Sequence, residues 1–111
     1  EAWKESHRLT IDIYRATEKF PQSEVFGLTS QMRRAAVSIV SNIAEGFSRN
    51  SPKEKIQFYA IAKGSNTELQ SQLLVVRDIG YLDKILFDKI AERTIQASRL
   101  MTGLIRKCKT D

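Results

Sequence analysis

Apolar residues return along this chain at the spacing of a helix face. Between Trp3 and Phe20, the residues Leu9, Ile13, Ala16 and Phe20 follow one another at steps of four, three and four. A 3.6-residue period stacks them on one side. Phe20-Pro21 ends the segment, because the residue before proline is pushed out of the α region. The connection FPQSEVFGLTS holds Pro21 and Gly27, after which Thr29 or Ser30 can cap a second helix. In that helix Leu28, Met32, Ala35, Ile39, Ile43 and Gly46 repeat at a/d-like spacing, with Ala36 and Phe47 beside them.

The strongest punctuation is Ser51-Pro52-Lys53-Glu54. Ser51 can cap, Pro52 suits the first helical position, and Glu54 can return a capping-box bond. Phe58, Ala62, Ser65, Leu69, Leu73 and Val76 then line one face until Gly80, a natural stop. The third helix is thus about 28 residues, or roughly 42 Å, long. Asp83 can cap a fourth helix with Phe87, Ile90, Thr94, Ala97, Met101, Leu104 and Cys108 as its inner stripe. No segment carries a competing strand pattern. Four amphipathic helices with links of about 3 to 9 residues predict an all-α, up-down-up-down antiparallel four-helix bundle, a single domain over residues 1–111.

The apolar surface is wider than such a bundle needs. A core-facing stripe spans a little over 100° of a helix, yet on the second helix Val37, Val40 and Ala44 extend it to roughly half the circumference. The third helix adds Ile61, Val75 and Ile79 on one flank and Ile56 and Leu74 on the other, and the first adds Ile11 and Tyr14. Either the seams between neighbouring helices absorb these flanks, or a second copy covers them, an exposed stripe of this kind being an association site. Small residues at Ser38, Ser41, Ala44, Ala60 and Gly64 permit close backbone approach. Mid-helix Gly64 costs about 1 kcal/mol relative to alanine and so calls for a packing reason. The expected subunit interface is Val37, Val40, Ala44, Ile61, Gly64 and Val75.

Composition narrows function by exclusion. With two prolines and five glycines, the chain fits neither a disordered nor a turn-rich β protein. Cys108 and His7 are the only residues of their kinds, so no disulfide, CxxC clip or His/Cys zinc site is expected. No apolar run approaches the ~18 residues of a membrane span, and the charged start EAWKESHR is no signal-peptide core. A cytoplasmic protein without a membrane partner is expected, with a trimmed N-terminus because Glu1 stands where a methionine would. Eighteen Lys and Arg against thirteen Asp and Glu give +5, of which residues 83–111 hold +3. That surplus either binds a polyanion or complements a helix C-terminus.

Candidate chemistry is sparse. Asn42, Glu45 and Arg49, preceded by Arg34 and Ser38, share one side of the second helix and form either a ligand site or a surface hydrogen-bond network. Glu68 has no second carboxylate, histidine or nucleophile at a matched spacing. His7 is expected beside Tyr14 as a partly buried hydrogen-bonding residue, and Cys108 at the core or helix end. There is no phosphate loop, GxSxG elbow or HExxH. No catalytic residue, metal ligand or cofactor is expected.

Three stretches carry a resemblance: WKESHRLTIDIY near the start, FPQSEVFGLTSQMRRAAVSIVSNIAEGFSR at 20–49 and SPKEKIQFYAIAKGSNTELQSQLLVVRDIGYL at 51–82. Together they resemble the four-helix-bundle family first noticed in intervening sequences of bacterial 23S ribosomal RNA genes, related to accessory proteins of diversity-generating retroelements. The resemblance implies a ring of five subunits and an association with RNA biology. In the retroelement relatives a basic ring binds nucleic acid and a reverse transcriptase. Here the same idea falls on Arg33, Arg34, Arg93, Arg99 and Arg106, and five chains pool a modest charge into a strong field. The expectation is a non-enzymatic, oligomeric bundle that binds RNA or other nucleic acid through phosphate contacts. The alternative is a protein-docking scaffold for a polymerase or ribosomal partner, with charge serving solubility.

Overall fold

A computed structural model, describing residues 1–110, carries the chain in four helices: α1 (Ala2–Thr17), α2 (Leu28–Ser48), α3 (Pro52–Asp78) and α4 (Lys84–Thr110). A 3-10 turn at Gln22–Glu24 bridges the first two, and no strand occurs among the described residues. The long axis measures 46 Å.

Local chemistry accounts for most ends. Ser51 Oγ accepts from the Glu54 amide at 3.1 Å, and its hydroxyl donates to Glu54 Oε1 at 3.2 Å. Gly80 takes the left-handed conformation, φ +86°, and lets the Tyr81 amide reach back to the Val76 carbonyl at 2.9 Å, closing α3. Asp83 Oδ1 accepts from the Leu86 amide at 2.8 Å and opens α4.

Two ends differ from the sequence expectation. α1 stops at Thr17, short of Phe20, which turns inward against Tyr81 with ring centroids 5.2 Å apart. Neither Thr29 nor Ser30 caps α2; Glu24 Oε1 accepts the Leu28 amide at 3.2 Å instead. The 3-10 turn makes this geometry, and the Tyr81 hydroxyl fixes it by donating to Glu24 Oε2 at 2.9 Å. That bond, helped by partial burial, raises the Tyr81 hydroxyl above its ordinary pKa.

Each helix packs on its neighbours in ring order, α1 on α2, α2 on α3, α3 on α4 and α4 on α1, with no diagonal contact. Neighbours run antiparallel: Thr10 meets Ala36 while Thr17 meets Arg33, and Ser38 meets Ser65 while Gly46 meets Tyr59. Leu9, Ile13, Met32, Ile39, Ile43, Leu69, Leu73, Ile90 and Met101 fill the centre without appreciable exposure.

The inner stripe of α3 is corrected at two positions. Tyr59 and Asn66 are buried, whereas Phe58 and Ser65 are only half-buried at the seam with α2. Asn66 can go inside because its Nδ2 donates to the Thr94 carbonyl at 2.8 Å. Tyr59 can because Gly46 opposes it: a Cβ there would lie 2.4 Å from the ring. Gly64, by contrast, has no atom of its own chain within 4 Å of where its Cβ would be. The close contact within the bundle is made by Gly46, not Gly64.

Candidate nucleic-acid and self-association surfaces

The sequence-derived arginines fall on separate parts of the bundle. Arg33 lies in the α1–α2 seam: its Nε donates to Thr17 Oγ1 at 2.8 Å, an Nη donates to the Tyr14 carbonyl at 3.2 Å, and the guanidinium stacks 4.6 Å from the Tyr14 ring centre. Arg34 is exposed and stands 3.8 Å from Glu68 across the α2–α3 seam. Arg93 closes the α1–α4 seam, donating to Glu5 at 3.2 Å and lying 2.7 Å from Asp12 Oδ2. Both carboxylates are largely buried, so Arg93 is neutralised inside the fold. Arg99 and Arg106, a heptad apart on α4, flank a shallow depression of about 270 Å³ with Ser98, Thr102 and Gly103, as Arg33 and Arg34 share the wall of another at the start of α2.

Lys107 and Lys109 extend that cationic run. All four side chains are exposed, and none has an ion-pair or hydrogen-bond partner among the described residues. From Arg93 to Thr110 the sequence contains no Asp or Glu. Counting carboxylates along α4 exposes this signal, which the net charge of a longer segment obscures.

Exposed apolar side chains occur on all four helices, with Ile61, Leu74 and Val75 on α3, Ile79 at its end, and Val37 and Phe47 on its neighbour α2, which is diagonal to α4. Residues 35–44 of α2 carry no charge at all. The seams take Val40 and Ile56 only to half burial. Val37 remains 39% exposed, Ile61 52% and Val75 46%, and Ala44 and Gly64 are open to solvent. The Ser38–Ser65 bond, 2.8 Å, and the Arg34–Glu68 pair mark where α2 and α3 meet. Ile61, Glu68 and Val75 recur every seven residues on α3, one stripe beside that line, as Val37 and Ala44 do on α2.

The remaining polar candidates are locally satisfied. Asn42 Nδ2 donates to Ser38 at its carbonyl, 2.8 Å, and its hydroxyl, 3.1 Å. Arg49 pairs with Glu45 at 2.9 Å and stacks on Phe58, and Glu68 accepts weakly from Gln72 at 3.4 Å. His7 does not sit beside Tyr14 as expected; it is exposed and stacks on Trp3 with centroids 5.0 Å apart, because Trp3 lies one turn below it. Cys108 is half-buried near Tyr59, whose hydroxyl is pushed above its ordinary pKa mainly by burial. Among the described residues no three His, Cys, Asp or Glu side chains gather where a metal could bind. No helix is long and apolar enough to cross a membrane.

Residues 1–103 match the model of a family described as 23S rRNA-intervening sequence protein. The chain belongs to that family. Its fold is similar to a solved protein of unknown function from the S23 ribosomal protein family of Bacteroides thetaiotaomicron. That likeness has a TM-score of 0.85 and 19% identity, and covers 95% of this chain and 98% of the other. At this identity the likeness speaks for the four-helix fold alone. No curated protein matches the sequence. Within this member of the family, the charge-free stretch of α2 and the carboxylate-free stretch of α4 are two surfaces that the fold leaves unanswered.

Proposed function

We propose that this chain is a non-enzymatic, self-associating bundle of the cytoplasm that binds RNA or other nucleic acid through phosphate contacts on α4. The observation that carries the reading is the run of Arg99, Arg106, Lys107 and Lys109, exposed and without a partner carboxylate among the described residues. Unpaired guanidinium and ammonium groups on an open helix face suit phosphate oxygens, and a shallow depression suits a backbone better than a base. The family description, with its mention of 23S rRNA, supports RNA as the polyanion. Arg33, Arg34 and Arg93, also expected in the interface, are held at the seams and contribute to the field more than to contact.

Self-association gives this modest surface its strength. Val37, Val40, Ala44, Ile61, Gly64 and Val75 form the proposed subunit contact, covered by a second copy. Five chains, the number the family resemblance implies, would multiply the +5 of one chain in a single particle. Because the α2 side lies opposite α4, association through the first leaves the second open.

The second reading, a scaffold for a polymerase or ribosomal partner, is favoured by Phe26 and Ile85, 96% and 84% exposed near one end of the bundle. Titrating labelled RNA at two salt concentrations separates the two. Nucleic-acid binding predicts a log–log salt slope of about −0.7 per phosphate contact on a single strand. No binding at low salt would favour the scaffold.

A further inference from the structure

Gly103 has no reason within the bundle to be a glycine. It stands in the interior of α4, where glycine costs stability relative to alanine, yet a Cβ there would meet nothing within 4 Å. It is exposed, and with Ser98 and Thr102 it floors the depression of about 270 Å³ that Arg99 and Arg106 flank. A side chain missing from such a floor lets a backbone from outside lie against the helix.

The two hydroxyls of the floor are uncommitted. Thr17, Thr67 and Thr94 each return their hydroxyl to a carbonyl three or four residues back, as helical threonines commonly do. Ser98 and Thr102, one turn apart and half-buried, make no side-chain hydrogen bond among the described residues. A phosphate oxygen only accepts, and the arginines answer it. A ribose 2′-hydroxyl both donates and accepts, as the serine and threonine hydroxyls do.

Shape separates single from double strands. From Arg93 to Thr110 the chain holds no Phe, Tyr or Trp, so the bases of a single strand find no stacking platform there. Because α4 packs on α1 and α3, it presents one open face along its length. Such a face rests on a wide, shallow groove and does not sink into the deep major groove of DNA. The wide, shallow groove that displays 2′-hydroxyls between phosphates is the minor groove of A-form RNA. Arg99 and Arg106, about 10.5 Å apart along the axis, are too distant to share one phosphate and suit two points of a backbone.

We propose that the floor of Ser98, Thr102 and Gly103 takes the minor-groove edge of double-stranded RNA, with the two hydroxyls on ribose and Arg99 and Arg106 on the flanking phosphates. This rests on the phosphate-binding reading of α4 and adds to it the form of the nucleic acid. A second copy docking α4 on α4 would set these arginines against their own kind, with no Asp or Glu from Arg93 to Thr110 to relieve them.

The test is titration of the full chain, followed by fluorescence anisotropy, with an RNA duplex of about 16 base pairs, the DNA duplex of the same sequence and the single RNA strand. The RNA duplex is expected to bind at least about tenfold tighter than either, the worth of two net hydrogen bonds. Ser98→Ala with Thr102→Val should bring RNA-duplex affinity down to that of DNA and leave DNA affinity unchanged. Gly103→Leu, whose Cβ enters open space, should keep or raise the melting temperature, keep the particle mass and weaken the RNA duplex about tenfold. Equal affinity for the two duplexes, tighter binding of the single strand, or parental RNA-duplex affinity in Gly103→Leu would each overturn the proposal while leaving phosphate binding by α4 in place. A particle mass that falls in Gly103→Leu would put a second copy on this floor and overturn it as well. Binding that Arg99→Glu with Arg106→Glu does not change, or no binding of any of the three probes at low salt, would remove the phosphate reading and the proposal together.

Discussion

Across the bundle diagonal, α2 and α4 use their solvent-facing positions in opposite ways. α2 runs from 35 to 44 without a charge, although it packs on only two neighbours, α1 and α3. α4 also packs on two neighbours, yet from Arg99 onward it carries four exposed cations with no partner among the described residues. A helix apolar beyond its packed sides is one that expects a further partner, whereas a helix basic on its open side can remain in water or hold a polyanion. The difference teaches that the two properties are spatially separable, so one can be removed without the other.

The largest effect is expected inside, where α2 meets α3. Gly46→Val places a branched side chain against Tyr59, already 2.4 Å from an added Cβ, and should cost about 3 kcal/mol in denaturant unfolding. Next comes the α2 side. Val37→Glu with Ile61→Glu puts two charges into the proposed contact; the chains should remain folded by circular dichroism but dissociate in sedimentation, with affinity weakened by at least about tenfold. On the α4 side, Arg99→Glu with Arg106→Glu should leave the particle mass unchanged and lower the magnitude of the salt slope by about 1.4, two contacts at about 0.7 each. Arg93→Gln, which touches Glu5 and Asp12 instead of solvent phosphate, should leave that slope alone. The smallest effect separates chain from assembly. Gly64→Ala should stabilise an isolated chain by about 1 kcal/mol through helix propensity, and the gain should shrink where another copy lies against it.

Much of this was legible in the order of residues. The Ser51 and Asp83 caps, the Gly80 stop and the inner stripes of α2 and α4 all follow from local pattern. What escaped depends on contacts distant in sequence. The burial of Asn66 requires the Thr94 carbonyl, and the cap of α2 requires a 3-10 turn held by Tyr81. Gly46 and Gly64 look alike in a helical repeat; only the opposing Tyr59 tells them apart. The arginines divide for the same reason: a positive residue read from sequence has no neighbours, while in the fold Arg93 meets two carboxylates and Arg99 meets none. The cavity beside Thr29 is formed by α1, the 3-10 turn and α2 together, so no single stretch announces it.

The central claim is that the apolar side of α2 gathers copies of this chain while α4 stays free. Light-scattering mass of the nuclease-treated protein tests it most directly. The account predicts a discrete multiple of the 12.7 kDa chain that falls to a single chain in the Val37→Glu/Ile61→Glu protein. A parent protein that stays at the mass of one chain at high concentration would contradict it.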